Sequence, residues 1–202
     1  MSFLLYAKEI HLHRTDVYEA TKDANHANPS GLSAIQILDS DLRTWYSELP
    51  SVFKLASDGT STCNADIRPQ VLLLHVTYHQ CLCALHCSIV PLFSLSRASS
   101  ESGHYVHSQR LSAQIAFENA SEISSIIKAS LTQEPSDAYR WPGFTGFALY
   151  CSCAIQLPYL WCSDAELSRT IRGNIRDNLS AMAVIGQNWR YVAGLVRYYE
   201  LS

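Results

Sequence analysis

The sequence has little charge and no clear excess of either sign. Charged residues make up 16% of its 202 residues, and the formal net charge is −3, whereas an average protein is about 25% charged. Domains that grip nucleic acid usually carry a basic excess, so this balance argues against direct contact with DNA or RNA. Hydrophobic residues make up 48% of the chain, which excludes an intrinsically disordered protein. The composition predicts a globular domain.

The sequence also lacks a secretory signal, because its first apolar run, residues 3–6, is shorter than the roughly 7–15 residues that such signals need. Its seven cysteines, an odd number, are typical of free thiols in a reducing compartment. The uncharged runs 69–96 and 141–163 exceed the roughly 20 residues that span a bilayer, but polar side chains and Pro158 interrupt them. We therefore predict buried helices, no membrane contact, and an intracellular protein of the nucleus or cytoplasm.

Motifs of common enzyme classes are missing from the sequence. It has no Gly-x-Ser-x-Gly elbow, no phosphate-binding glycine loop and no Cys-x-x-Cys motif. Cys81 with Cys83, and Cys151 with Cys153, form Cys-x-Cys pairs. On a helix, residues two apart point about 200° away from each other and do not chelate one metal ion. We therefore expect buried thiols, and neither a metal nor a cofactor.

Apolar residues recur at spacings of three and four along most of the chain, and no strand-length alternation is present. This pattern predicts an all-α fold, a single helical-bundle domain of about six to eight helices over residues 1–202. Ser163 is the expected N-cap of the helix that Gly186 closes, with Glu166 at the capping-box spacing. The predicted helices cover residues 3–21, 32–48, 69–95 with an end or bend at Pro91, 105–130, 142–161 with a break at Pro158, 163–186 and 187–201.

Three histidines share one stripe of the third predicted helix. His75, His79 and His86 fall within roughly 40° of one another, and Tyr78 and Cys83 flank them. Histidines on one helix face bind zinc, exchange protons with a substrate or form hydrogen bonds to neighbouring helices. Zinc is disfavoured, because the metalloprotease motif needs Glu after the first His and no third ligand has a typical spacing. Core hydrogen bonding is favoured, and acid–base catalysis by His75, Tyr78, His79 and His86 stays open.

Further residues are candidates for binding a ligand. Asn119 lies on the apolar face of its predicted helix, where its amide either bonds a neighbouring helix, which we favour, or faces a ligand. The aromatic, glycine-rich stretch 141–147 either packs on the core, which we favour, or lines the mouth of a pocket. The candidate ligand-binding residues are Asn119, Cys83, Trp141, Phe144 and Tyr150.

Four segments of the chain carry distinctive patterns of Leu, His, Trp and Ala: residues 38–50 (LDSDLRTWYSELP), 72–87 (LLLHVTYHQCLCALHC), 116–127 (AFENASEISSII) and 179–195 (LSAMAVIGQNWRYVAGL). Together they resemble the fungal-specific transcription factor domain, the middle homology region of fungal zinc-cluster regulators. The chain departs from that family in lacking the zinc cluster and its basic stretch, and Cys87 stands where the family has Arg. It is therefore similar to the carboxy-terminal half of the regulatory domain, standing alone.

The resemblance implies a regulatory domain that senses a small apolar metabolite or binds a protein partner, without direct contact to nucleic acid. An alternative is the same kind of domain repurposed as a cofactor-free enzyme of fungal secondary metabolism, a cyclase or isomerase. Such an enzyme would act on an apolar substrate through the shape of its pocket and through His and Tyr acid–base groups. A third interpretation is an interaction module, for example a homodimer, because Tyr and Arg in the last helix are common interface anchors.

Overall fold

The computed structural model describes residues 30–56, 59–88 and 103–200, and the side chains of residues 35–56, 59–88 and 109–197. The predicted helix at residues 3–21 and the predicted bend at Pro91 lie outside these ranges. The described residues form helices and loops, with a single isolated bridge between Leu55 and Ser61. The prediction of an all-α fold is therefore confirmed.

Six α-helices lie within the described ranges. They are α1 (Ser30–Ser47), α2 (Arg68–Cys87), α3 (Gly103–Gln133), α4 (Gly143–Gln156), α5 (Ala165–Ile185) and α6 (Arg190–Glu200). Three short 3-10 helices connect them, at Ser51–Phe53, Pro135–Arg140 and Leu157–Trp161. The long helix α3 occupies the centre and packs against α2, α4 and α5.

The described parts of the two uncharged runs form helices that pack against other helices. The first contains α2, which packs on α1, α3 and α4, and the second contains α4, which packs on α2, α3, α5 and α6. The second run breaks at the predicted proline, because α4 ends at Gln156 and Pro158 lies in the 3-10 helix that follows. None of the helices that the structure describes is long and apolar enough to cross a membrane.

The prediction of Ser163 as the N-cap of α5 is wrong by one residue. Asp164 is the cap, and its side-chain Oδ1 accepts hydrogen bonds from the backbone N–H groups of Glu166 and Leu167 at 2.9 and 3.0 Å. Aspartate is as good a cap as serine, and its negative charge also interacts favourably with the positive end of the helix. The capping-box spacing from Ser163 to Glu166 is therefore not used.

The last two helices meet in a turn that the sequence pattern did not predict. As expected, α5 ends at Ile185 with Gly186 as its C-cap, but α6 begins at Arg190 and not at residue 187. The backbone N–H groups of Asn188 and Trp189 bond back to Ile185 O at 3.1 and 3.0 Å. These bonds close a tight turn, so a connection of a few residues is enough to join the two helices.

The core lies along α3 and is mostly apolar, with several polar side chains buried in it. Ile123 and Ile127 of α3 pack there with Val76 of α2, Leu149 of α4 and Met182 of α5, all of them fully buried. Burying one such side chain contributes about 1.5–3 kcal/mol to folding.

A polar network crosses this core between α3, α4 and α5. Gln156 donates through Nε2 to the hydroxyls of Ser124 and Ser152 at 3.0 and 2.9 Å, and Asn178 donates through Nδ2 to Ser124 Oγ at 2.9 Å. Ser152 in turn donates to Ala120 O at 2.8 Å. Because buried polar groups are costly unless they are bonded, this network favours one register of the three helices over others.

Candidate functional site

The three histidines of α2 are buried, but the structure does not bring their ring nitrogens together. His75 lies 2.7 Å through Nε2 from Phe53 O. A carbonyl oxygen only accepts, so Nε2 carries the proton and Nδ1 accepts from the Tyr46 hydroxyl at 2.6 Å. Both nitrogens are therefore occupied. Burial lowers the pKa of His75, which favours the neutral ring.

His86 lies further along α2 and ties three helices together. Its Nε2 donates to Asp39 Oδ1 of α1 at 3.0 Å, and its Nδ1 lies 3.2 Å from Ser112 Oγ of α3. Asp39 also accepts two bonds from the Arg43 guanidinium, at 2.7 and 3.1 Å. Burial opposes ionisation of Asp39, but the bonds from Arg43 and His86 outweigh it and lower the pKa of the carboxyl. These contacts give His86 the structural role that the sequence favoured.

His79 differs from the other two, because only one of its nitrogens is occupied by a described residue. Its Nδ1 lies 2.8 Å from Asn119 Oδ1 on α3. The Asn119 amide nitrogen donates to Ile115 O at 2.8 Å, which fixes the amide orientation and makes Oδ1 the acceptor. The proton of His79 is therefore on Nδ1, and the Nε2 lone pair accepts no hydrogen bond from a residue that the structure describes. Burial lowers the pKa of His79 although Asn119 and Glu122 oppose the shift, so the ring is neutral near pH 7.

Two stacked tyrosines hold His79 in place from the side. The rings of Tyr46 and Tyr78 lie 3.7 Å apart at an angle of 6°, and their centroids lie 5.8 and 4.9 Å from that of His79. Burial raises the pKa of Tyr46 to about 12 and also raises that of Tyr78. At neutral pH both hydroxyls keep their protons, so the tyrosines orient the histidines and are poorly suited to transfer protons.

A cavity of about 500 Å³ opens beside His79, between the end of α1, the loop that follows it, α2 and α3. We call it the His79 cavity. Its floor is buried and includes His75, His79, Leu49 and Ile126, whereas its rim is exposed and includes Lys54, Glu122 and Ser125. The remaining lining residues are Tyr46, Ser47, Leu55, Ala56 and Gly59.

The other residues that the sequence nominated lie outside this cavity. Asn119 reaches it only through His79, which is the helix-to-helix role that we favoured for its amide. Cys83 is buried and donates to Ala116 O at 3.5 Å. Burial raises the pKa of this thiol, so it is a poor nucleophile.

The aromatic candidates also lie away from the His79 cavity. Trp141 is fully buried in the core, and its carbonyl accepts from the Trp189 indole at 3.3 Å. Phe144 is 41% exposed beside Phe147, and Tyr150 is half-buried against the core. The stretch 141–147 therefore packs on the core at Trp141, as favoured, and is partly exposed beyond it.

Sequence reasoning missed several lining residues that helical spacing would have found. Glu122 and Ile126 follow Asn119 at i+3 and i+7, so all three lie on one side of α3. Tyr46 is harder to find, because its neighbour Trp45 has the better apolar spacing but is 48% exposed. Lys54 comes from a loop, and no periodic pattern marks it.

Within the described ranges, no group of three or more His, Cys, Asp or Glu side chains is placed to hold a metal ion. The chain matches no family model, no curated protein and no solved structure. The His79 cavity is therefore the candidate functional site: a partly open cavity lined by both polar and apolar side chains, with the neutral His79 ring on its floor and Tyr46 beside it.

Proposed function

We propose that the chain is a ligand-sensing regulatory domain, similar to that of fungal zinc-cluster transcription factors, and that a small, largely apolar molecule binds in the His79 cavity. The observation that carries the proposal is the cavity itself. Its volume of about 500 Å³ lies within the range of about 300–1,000 Å³ that is typical of small-molecule sites. Its lining combines apolar side chains such as Leu49, Leu55 and Ile126 with polar groups that can fix the orientation of a ligand.

The position of the cavity supports the same proposal. Eight of its twelve lining residues come from three of the segments on which the family resemblance rests, residues 38–50, 72–87 and 116–127. The cavity also lies where α1 and its loop meet the α2–α3 pair. A ligand there contacts both parts at once, so binding stabilises their present arrangement by mass action. Ligand binding would therefore strengthen the packing of α1 on α2 and α3. A partner protein that contacts α1 could respond to that change.

A fragment screen by ligand-observed NMR tests this proposal. Ser125→Trp places an indole at the rim of the cavity, and Ser180→Trp is the matched control on an exposed serine of α5 outside it. We expect apolar fragments that bind the wild-type chain and the Ser180→Trp variant but not Ser125→Trp. If no fragment binds, or if every fragment binds the blocked variant equally well, the cavity is not a ligand site.

A second candidate function is a cofactor-free enzyme, a cyclase or isomerase, and the unprotonated Nε2 of His79 favours it. A neutral imidazole accepts a proton from a substrate, and Asn119 Oδ1 at 2.8 Å from Nδ1 stabilises the imidazolium that forms. His79 is therefore the base in this candidate mechanism. In this candidate mechanism His75, Tyr78 and His86 do not exchange protons. Their described contacts give them a structural role in the helix packing around His79.

The base can be tested without knowing the natural substrate. The probe 5-nitrobenzisoxazole loses its ring C–H proton to a base while its N–O bond breaks, which releases a coloured phenolate. If His79 is a base, the wild-type chain should eliminate the probe faster than His79→Asn. The amide of this variant can replace Nδ1 as the donor to Asn119, but it has no basic nitrogen in place of Nε2. Equal rates for the two proteins would remove His79 as a base and leave the sensing proposal intact.

A further inference from the structure

The histidine and tyrosine side chains that line the His79 cavity have no proton left to donate to a ligand. His79 Nε2 carries a lone pair, because the proton of the ring is on Nδ1. The Tyr46 hydroxyl donates its hydrogen bond to His75 Nδ1 at 2.6 Å, and His75 Nε2–H donates to Phe53 O at 2.7 Å, so neither proton is available to a ligand. Among the described residues of the floor, a ligand therefore meets acceptors and must supply the donor itself.

The charges of the lining indicate that this donor belongs to a neutral group. Lys54 and Glu122 give the exposed rim one positive and one negative charge, and the Lys54 ammonium already donates to Ser47 O at 2.8 Å. Opposite charges on an exposed rim, screened by salt, give no net preference for a charged ligand. On the buried floor a charged group would lose its hydration without gaining an ion pair.

The apolar part of the floor indicates the shape of the remaining ligand. Leu49 and Ile126 are buried side chains of the lining, and Leu55 packs against the core beside them. Tyr46 adds a ring that is held by its stack with Tyr78. Aliphatic and aromatic walls of this kind pack well against the faces of a ring.

We propose that the His79 cavity binds a neutral, hydroxyl-bearing ring compound of the phenol or cyclic-alcohol class, whose O–H donates to His79 Nε2. The inference rests on the proposed function, because it takes the cavity to be a ligand site. It deepens that proposal by ranking such compounds above carboxylates, ketones and plain hydrocarbons, which bring no donor to Nε2. In this account Asn119 is a positioning residue, since it holds the ring proton on Nδ1 and so keeps Nε2 available.

The test compares two probes that differ only in the donor. Binding of 2-naphthol and of 2-methoxynaphthalene to the full chain is measured by calorimetry or fluorescence. The methyl group removes the O–H but leaves the ring. We expect 2-naphthol to bind about 2- to 10-fold more tightly, the ratio that corresponds to one net hydrogen bond. We expect the cation of 1-naphthylmethylamine and the anion of 2-naphthoate to bind more weakly than 2-naphthol.

Variants locate the preference at His79. In His79→Asn the side-chain amide still donates to Asn119 but has no group in place of Nε2, so both neutral probes should bind equally. Ser125→Ala is the matched control, because it changes the rim without changing the acceptor, and it should keep the preference for 2-naphthol. The probe comparison on the wild-type chain needs no variant and stands even if His79→Asn folds poorly.

The two proposals fail in different ways. If fragments bind the cavity but the methoxy probe or a charged probe binds wild type as tightly as 2-naphthol, the inferred ligand class is wrong and the sensing proposal stands. Failure of 2-naphthol to bind, or a preference that persists in His79→Asn, also overturns the inference. The sensing proposal itself fails only in the screen with Ser125→Trp.

Discussion

His79 donates its Nδ1 proton to Asn119 Oδ1 at 2.8 Å across the contact between α2 and α3. This single bond has a structural and a chemical consequence. It satisfies the buried Asn119 amide oxygen, which would otherwise be costly, and it leaves Nε2 as a lone pair on a ring that lines the His79 cavity. The core histidine and the candidate functional histidine are therefore the same residue.

Acid should destabilise the fold through His75 and His79. Burial lowers the pKa of both rings from 6.5, so below about pH 6.5 the unfolded chain binds protons that the folded chain does not. Their contribution to stability is complete above that pH and is lost as the pH falls toward the folded pKa values. Each ring contributes at most about 1.4 kcal/mol per pH unit to the loss.

Urea unfolding between about pH 7.5 and pH 5 measures this effect. Asp39 does not interfere in this range: its pKa is lowered, so the stability that its ionised form contributes is lost only at lower pH. His79→Asn removes one titrating ring and should make the free energy of unfolding less dependent on pH in this range. An unchanged dependence in His79→Asn would show that His79 is not held neutral by the fold.

Two glycines on helices should respond to alanine in opposite directions. A Cβ atom at Gly146 of α4 would lie 2.6 and 2.8 Å from the two γ-carbons of the buried, β-branched Val192. We expect Gly146→Ala to lower the free energy of unfolding by about 1–3 kcal/mol, as overpacked cores do. A Cβ atom at Gly173 of α5 would have no neighbouring atom within 4 Å. Gly173→Ala should therefore raise the free energy of unfolding by roughly 0.5–1 kcal/mol, because alanine favours the helix more than glycine does. Chemical denaturation measures both, and a stabilised Gly146→Ala would contradict the packing of α4 on α6.

The start of α5 offers a matched pair of neighbouring substitutions. Asp164→Ala removes the carboxylate that accepts from Glu166 N and Leu167 N, and should cost about 1 kcal/mol of stability. Ser163→Ala removes no described bond and should stay within about 0.5 kcal/mol of wild type. Equal losses in the two variants would mean that the cap at Asp164 is not formed in solution.

The helices were predictable because the pattern of apolar residues is local. A helix was predicted at every α-helix that the structure describes, with spacings of three and four marking α1 and α5 most clearly, and Pro158 marked the break after α4. The cap was missed by one residue, since Ser163 and Asp164 are both good caps and only the backbone geometry decides between them. The tight turn before α6 depends on bonds to Ile185 O, which periodicity does not reveal.

The candidate site was only partly predictable, because its partners come from distant parts of the chain. The sequence placed His75, His79 and Asn119 on apolar faces and suggested that they are bonded to other helices. It did not show that Tyr46 and Phe53 would occupy both nitrogens of His75 while His79 kept one nitrogen unshared. That difference depends on how α1 and its loop pack on α2, and helix patterns do not encode it.

The most direct test of the central claim is the tautomeric state of His79, measured by long-range ¹H–¹⁵N NMR on the uniformly labelled chain near pH 7. We expect a protonated Nδ1 and an unprotonated Nε2 in the wild type. We also expect this preference to be lost in Asn119→Leu, where the acceptor for the Nδ1 proton is gone. A His79 ring protonated on Nε2, or on both nitrogens, in the wild type would overturn the proposal, because Nε2 would then have no lone pair to offer a ligand.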